Sequence, residues 1–302
     1  MTPLPFFTAL TLALGELPQP ILTKYSIGLT TYKLFTKHKY KNQPLAGEKA
    51  QTNPPNFQDI IDNLILSGIL TEKKVSTLKD VFSFVGKSKV DPLEVVCTLD
   101  PFAYLSHLSA MEFYGLTDRF PKTIYISSPK QNQWQQYAKD QMHKDLKDNY
   151  SSYINAKYPL LKNLRPLKID KKNIKIFNSL HLGAYKNIKD RNIRVSTIGR
   201  TFLNMLQNPD LCGGLDHVID CFEEHAQTYI RNIADEVERN GHKIDKIRAG
   251  YILDEICDLN HEVFDSWLQL TQRGGSMKID SSEEYDPNYS EKWKLSINIY
   301  RD

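Results

Sequence analysis

The chain opens with three stretches whose apolar positions repeat at helical spacing. Residues 4–14 follow an early proline with Phe6, Phe7, Leu10, Leu12 and Leu14 and end at Gly15 and Pro18, which predicts a first helix. Residues 21–40 set Ile21, Leu22, Tyr25, Leu29, Tyr32, Leu34 and Phe35 among lysines, with a helix end expected near His38. The third stretch is the sharpest. Phe57, Ile60, Ile61, Leu64 and Ile65 mark one face, Asn56, Gln58, Asp59, Asp62 and Asn63 lie largely off it, and Gly68 stops it. Between the second and third, residues 41–54 are polar with Pro and Gly and read as a loop longer than a compact three-helix module needs. Ile69-Leu70, the polar run 71–74 and Val81-Phe82-Ser83-Phe84-Val85 before Gly86 then suit a two-stranded hairpin. Three helices followed by a hairpin is the order of a winged helix-turn-helix, whose recognition helix enters the DNA major groove.

Beyond residue 90 the pattern changes. Asp100 and Pro101 look like the cap and first position of a helix carrying Tyr104, Leu105, Leu108 and Met111 on one stripe, with Gly115 as its left-handed stop. His107 and Glu112 are its only polar groups suited to chemistry. They are five residues apart and so do not share a helical face, which makes a packed or capping histidine the plain reading. A strand is expected at 123–128, between Pro121 and Pro129, with further strands at 173–180 and 193–195 beside it. Ser196 or Thr197 should cap a helix reaching Leu206. Helices are expected at about 215–226, 228–240, 244–258 and 260–271, then a turn at Gly274-Gly275 and a final strand at 294–300 returned to the sheet. The expected fold is α+β: a winged helix-turn-helix over 1–90, then a mixed α/β C-terminal domain over 91–302. The latter carries a basic helical insertion at 130–172 and a helical layer at 214–272.

The net charge of +3 conceals an asymmetry. Residues 1–90 hold 11 Lys and no Arg against 6 acids, whereas residues 201–302 hold 10 basic residues against 20 acids. A basic end suits a polyanion and an acidic end a different partner. Within the acidic part, the second helix should pair its acids with Arg231 and Arg239. The third and fourth should expose Asp245, Asp254, Glu255, Asp258, Glu262 and Asp265, as a solvated face or a dock for a basic protein. Cys97, Cys212, Cys221 and Cys257 are scattered, without Cys-x-x-Cys spacing, so reduced thiols in a cytoplasmic protein are expected. No apolar run approaches the roughly 20 residues of a membrane span.

Two surfaces could carry nucleic-acid binding. On the third helix, Asn56, Gln58 and Asn63 are the candidates for reading base edges. Asp59 and Asp62 would repel phosphates, although an aspartate can accept from cytosine N4. Lys24, Lys33, Lys73, Lys74 and Lys79 are the candidate phosphate contacts. On the pattern alone, a packing module with a solvated lysine face explains the same residues. Residues 130–175 hold 11 basic residues against 4 acids, interleaved with Trp134, Tyr137, Tyr150, Tyr153 and Tyr158. That composition suits stacking and charge or a solvated helical insertion. His217, Cys221 and His225 share a helical face, but the two histidines lie about 12 Å apart along the axis, too far for one tetrahedral ion. Gly213-Gly214 reads as a tight turn. No phosphate loop, nucleophile elbow or His-Glu-x-x-His pattern occurs, so neither a catalytic residue, a metal site nor a cofactor is expected.

Three blocks carry a family resemblance. Leu105-Ser106-His107-Leu108-Ser109-Ala110-Met111-Glu112-Phe113-Tyr114-Gly115-Leu116-Thr117, with the strand after Pro121, resembles a conserved segment of AbiEi-type antitoxins, predicted regulators in phage-defence toxin-antitoxin operons. Arg194-Val195-Ser196-Thr197-Ile198-Gly199-Arg200-Thr201-Phe202, followed by Cys212-Gly213-Gly214, resembles that family's Arg-Thr helix and Gly-Gly turn. Tyr285-Asp286-Pro287-Asn288-Tyr289 through Trp293 to Asn298 resembles its closing strand. The resemblance implies a non-enzymatic type IV antitoxin and autorepressor. Its winged helix would bind operator DNA at inverted repeats, and its C-terminal domain would counteract an AbiEii-like nucleotidyltransferase toxin, directly or indirectly. The alternative is a protein- or RNA-interaction module without sequence-specific DNA binding.

Overall fold

The computed structural model describes residues 2–46, 53–76, 78–87, 90–179, 184–272 and 277–299. The chain is mixed α/β and divides into two compact units. The first holds residues 1–103, 127–182 and 187–194, and the second 104–126, 183–186 and 195–302. Residues 1–90 lie wholly in the first, together with the whole of 130–172.

Helix α1 (Phe6–Gly15) buries Ala9, Leu10 and Leu14. Strand β1 (Leu22–Thr23) leads straight into α2 (Lys24–Lys37). Thr23 and Ser26 cap α2 reciprocally, Ser26 N donating to Thr23 Oγ1 at 3.2 Å and Thr23 N to Ser26 Oγ at 3.0 Å. The helix stops at His38 in the left-handed conformation, φ 49°, where the pattern places its end. Strands β2 (Lys39–Tyr40) and β3 (Gln43–Pro44) pair at the start of the expected loop, whose middle lies outside the described residues. Helix α3 (Phe57–Leu66) buries Ile60, Ile61 and Leu64, as its periodicity requires. Strands β4 (Leu70–Glu72) and β5 (Val81–Phe84) form the expected hairpin, with Leu70 opposite Phe84. The free edge of β5 takes β1, Leu22 opposite Phe82, giving the order β1-β5-β4. Leu10, Leu14, Ile27, Ile60, Leu64 and Phe82 make the core of this part, each buried side chain contributing about 1.5–3 kcal/mol of transfer free energy.

The helix expected from Asp100 does not begin there. Asp100 follows α4 (Pro92–Leu99), whose own cap is Asp91, Oδ1 accepting from Leu93 N at 2.8 Å with Pro92 in the first turn. The Asp100 carboxylate is taken by other donors: Phe102 N at 3.0 Å, Trp134 Nε1 at 2.8 Å and Ser128 Oγ at 2.6 Å. Tyr104–Leu105 is strand β6, and the helix is the shorter α5 (His107–Tyr114), stopped at Gly115 with φ 67° as expected. His107 is fully buried, its Nδ1 2.8 Å from Ser106 Oγ.

Strand β7 (Thr123–Pro129) matches its expected position. The segment after it folds as α6 (Gln131–Leu146) and α7 (Tyr150–Asn155), then as the antiparallel hairpin β8 (Lys168–Ile169) and β9 (Lys172–Ser179). Strands β10 (Tyr185–Asn187) and β11 (Arg194–Ser196) follow, and the six-stranded order is β10-β11-β6-β7-β9-β8. Thus β9 lies beside β7 as expected, while β11 pairs in parallel with β6, Val195 opposite Leu105, and not with 123–128.

In the second unit, Thr197 caps α8 (Ile198–Gln207), accepting from Arg200 N at 3.3 Å. The two helices expected at 215–226 and 228–240 are one, α9 (Leu215–Asn240), because Gln227-Thr228 holds neither Gly nor Pro to break it. Helix α10 (Lys243–Tyr251) runs into a π-helical turn at Ile252–Ile256, and α11 (Phe264–Leu268) is shorter than the expected 260–271. Strand β13 (Leu295–Ser296) pairs with β12 (Tyr289–Ser290) as a separate ribbon and does not return to the large sheet. Gly274-Gly275 and Tyr300 lie outside the described residues. Two charge expectations also change. Glu236 pairs with Arg200 at 2.6 Å and Glu238 with Lys246 at 2.7 Å, in place of Arg231 and Arg239. Asp245 is buried, accepting from His242 N and Gln207 Nε2, and Asp254 is half-buried under Trp293 Nε1 and Lys292. Glu255, Asp258, Glu262 and Asp265 remain exposed.

Candidate nucleic-acid interface

The outward face of α3 carries Gln58, Asp59, Asp62, Asn63 and Leu66, with Asn56 exposed at its start. The three amides are not equivalent. Asn56 is the helix cap, its Oδ1 accepting from Gln58 N at 2.8 Å and Asp59 N at 3.4 Å. Its acceptor is therefore spent on the backbone, and only the amide donor remains for a ligand. Gln58 Nε2 donates to Asp62 Oδ1 at 2.9 Å, one turn along. This bond leaves the Gln58 carbonyl and the second Asp62 oxygen outward, an acceptor-rich pair suited to a cytosine or adenine amino group. Asn63 lines a groove with Phe7, Thr8 and Leu12 of α1. Leu66 is 84% exposed, an apolar residue on the candidate face that the pattern did not single out.

The lysines also separate. Lys73, Lys74 and Lys79 all lie on the connection between β4 and β5. That connection is folded back on itself: Lys73 N donates to Val81 O at 2.8 Å, Leu78 N to Val75 O at 2.9 Å, and Val75 is buried beneath it. Among the described residues, Lys33, Lys73, Lys74 and Lys79 have no ion-pair partner. Lys24 has one, Asp80 at 2.7 Å, so its charge is partly neutralised at the foot of the hairpin. Lys24 and Lys33 are nine positions apart on α2, roughly 180° around the helix at 3.6 residues per turn, so one flat surface cannot use both. The structure thus groups three of the five candidate lysines, and Asp80 is the neighbour that sequence reasoning missed.

Residues 130–175 do not offer their aromatics to bases. Trp134, Tyr153 and Tyr158 are buried. Tyr32 of α2 meets the ring of Tyr153 at 5.1 Å and of Tyr158 at 5.3 Å, edge-on. Tyr25 donates to Asp145 Oδ2 at 2.8 Å. Burial raises the phenol pKa of Tyr25, Tyr153 and Tyr158, so each stays a protonated donor. Gly28 makes the close approach of α2 workable, since a Cβ there would meet Pro159 Cδ at 2.8 Å. Of the expected stacking residues, Tyr137 and Tyr150 alone are half-buried. Tyr150 is itself stacked on His143 at 3.7 Å. The segment is a packing element whose lysines face outward.

In the second unit, His217 Nε2 lies 2.9 Å from Thr117 Oγ1 and 3.8 Å from Cys221 Sγ. Burial, followed by the Arg119 charge, holds the His217 pKa below its usual value. Burial pushes the Cys221 thiol up to about 12, and it donates to Leu116 O. A thiol so far from ionisation is a poor nucleophile at neutral pH. Among the described residues, no group of three or more His, Cys, Asp or Glu side chains is placed to hold a metal ion. Gly213 and Gly214, both at positive φ, make the expected turn, and Arg119 Nη1 donates to Gly213 O at 2.8 Å. Among the described residues no helix is long and apolar enough to cross a membrane.

No family model matches the chain, and no curated protein matches it. Among solved structures, it is similar to the RV2827C protein from Mycobacterium tuberculosis, at 12% identity over 96% of this chain and 90% of that one, with a TM-score of 0.48.

Proposed function

We propose that the chain is an AbiEi-like antitoxin and autorepressor, whose first 90 residues act as a winged helix on operator DNA. The observation that carries this reading is the order α1-β1-α2-β2-β3-α3-β4-β5 with the sheet β1-β5-β4, in which three lysines with no ion-pair partner among the described residues crowd the β4–β5 connection. In the proposed complex α3 lies in the major groove. Gln58 and Asp62 accept from an exposed base amino group, and Asn63 contacts an adjacent edge, each good pair contributing about 1–3 kcal/mol of discrimination. Lys73, Lys74 and Lys79 sit on phosphates and release counterions. Two copies would meet an inverted repeat. The second unit, which carries α5, α8 and the closing ribbon of the family resemblance, would counteract an AbiEii-like nucleotidyltransferase toxin, directly or through the RNA on which that toxin acts.

A second reading has its own support. Asp59 and Asp62 give α3 two negative charges and no cation, and Leu66 is 84% exposed. Such a face suits a protein surface better than a phosphate-lined groove. Charge reversal at the hairpin separates the two readings. The double variant K73E/K74E should bind the chain's upstream DNA more weakly, with a salt dependence shallower by roughly two counterions. Unchanged affinity in a gel-shift titration would leave the interaction module as the better account.

A further inference from the structure

The first unit contains a cavity of about 360 Å³ that the DNA reading does not use. Its walls come from the start of α2, the start of α3, the end of α4 and the extended segment 159–164. Tyr25, Phe57, Leu99, Leu161 and Leu164 supply an apolar lining. The Tyr25 hydroxyl is already committed to Asp145. The charged residues on this lining are Lys24, Lys162 and Asp80, two cations against one carboxylate. Lys24 is engaged with Asp80 at 2.7 Å, whereas Lys162 is exposed and has no ion-pair partner among the described residues. Apolar walls with a few charged groups are the composition of a small-molecule site, and the volume falls at the small end of the usual range, roughly 300–1,000 Å³.

We infer that this cavity binds a small aromatic carboxylic acid, its mono- or bicyclic body against Phe57 and the leucines and its carboxylate on Lys162, with Lys24 as second cation. The acid fits better than its alternatives. A neutral aromatic would leave Lys162 unused, and inorganic phosphate would leave the apolar walls wet. The inference stands whether or not the hairpin touches DNA. It does link the two sites, because a carboxylate that shares Lys24 draws it from Asp80, which enters β5 directly after the Lys73–Lys79 connection.

The test is calorimetric titration of the full chain with indole-3-acetate, phenylacetate, indole-3-acetamide and inorganic phosphate. Indole-3-acetate should bind, the amide should bind at least about tenfold more weakly, as loss of a charge-assisted hydrogen bond implies, and phosphate should not bind. Lys162→Gln should weaken the acid about tenfold while leaving the amide unchanged, a split that a folding defect would not produce. Leu161→Trp, which fills the cavity, should abolish both. Absence of binding by either acid would overturn the inference. So would equal affinity for acid and amide, or unchanged acid binding by Lys162→Gln.

Discussion

Asp100 condenses what a local reading of the chain can and cannot reach. An Asp-Pro pair ahead of apolar residues is a sound helix-start signal, and nine residues earlier Asp91-Pro92 is one. At Asp100 the same pair fails, because the carboxylate is claimed by Ser128 and Trp134, partners invisible in a local window. Asp100→Ala should strand a buried hydroxyl, an indole N–H and the Phe102 amide, lowering stability in urea unfolding by about 3 kcal/mol or more. Asp100→Asn should lose less, about 1–2 kcal/mol, since it keeps one acceptor. His217 makes a pH prediction. Its folded pKa lies below 6.5, held down first by burial and then by Arg119. The unfolded chain therefore binds the proton more readily, so the contribution is complete above about pH 6.5 and is lost as pH falls through the folded value. Wild type should lose stability below that pH more steeply than His217→Gln, and parallel curves would contradict the assignment. The residue-level candidates were legible in part. Gln58, Asn63 and the hairpin lysines stand where the pattern put them, whereas Asn56 is half spent on its cap and Lys24 is paired with Asp80.

At the scale of elements, amphipathic helices were readable because burial writes a period into the sequence. α1, α2, α3 and α8 lie within a few residues of their expected positions. β1 escaped, since two residues carry no period and its membership of a sheet depends on β5. α9 was divided in two where no breaker exists, and the closing strand paired locally with β12. The close packing of α8 on α9 was equally hidden. Gly199 in α8 leaves no space for a side chain, as a Cβ there would lie 2.2 Å from the Asn232 carbonyl oxygen of α9. Gly199→Ala gains about 1 kcal/mol of helix propensity. The displacement of backbone it forces should still produce a net loss of about 2–3 kcal/mol. A thermal melt no lower than wild type would show that the two helices do not approach this closely.

For the whole molecule, the charge asymmetry was plain in the composition, but its use was not. In sequence, the basic and aromatic run at 130–175 suits either base stacking with charge or a solvated helical insertion. In the structure Trp134, Tyr153 and Tyr158 pack inward, and Tyr32 of α2 meets two of those rings. The proposed nucleic-acid binding then rests on the three lysines between β4 and β5 and on the amides of α3. That is also the claim most directly open to measurement: a salt titration of the purified chain on its own upstream DNA against a scrambled duplex. The account predicts sequence-selective binding whose log affinity falls with log salt at a slope of roughly −3 per bound copy, one counterion for each of the three lysines. Equal, weak binding to both duplexes with little salt dependence would contradict it, and would turn the α3 face with its exposed Leu66 into a surface for a protein partner.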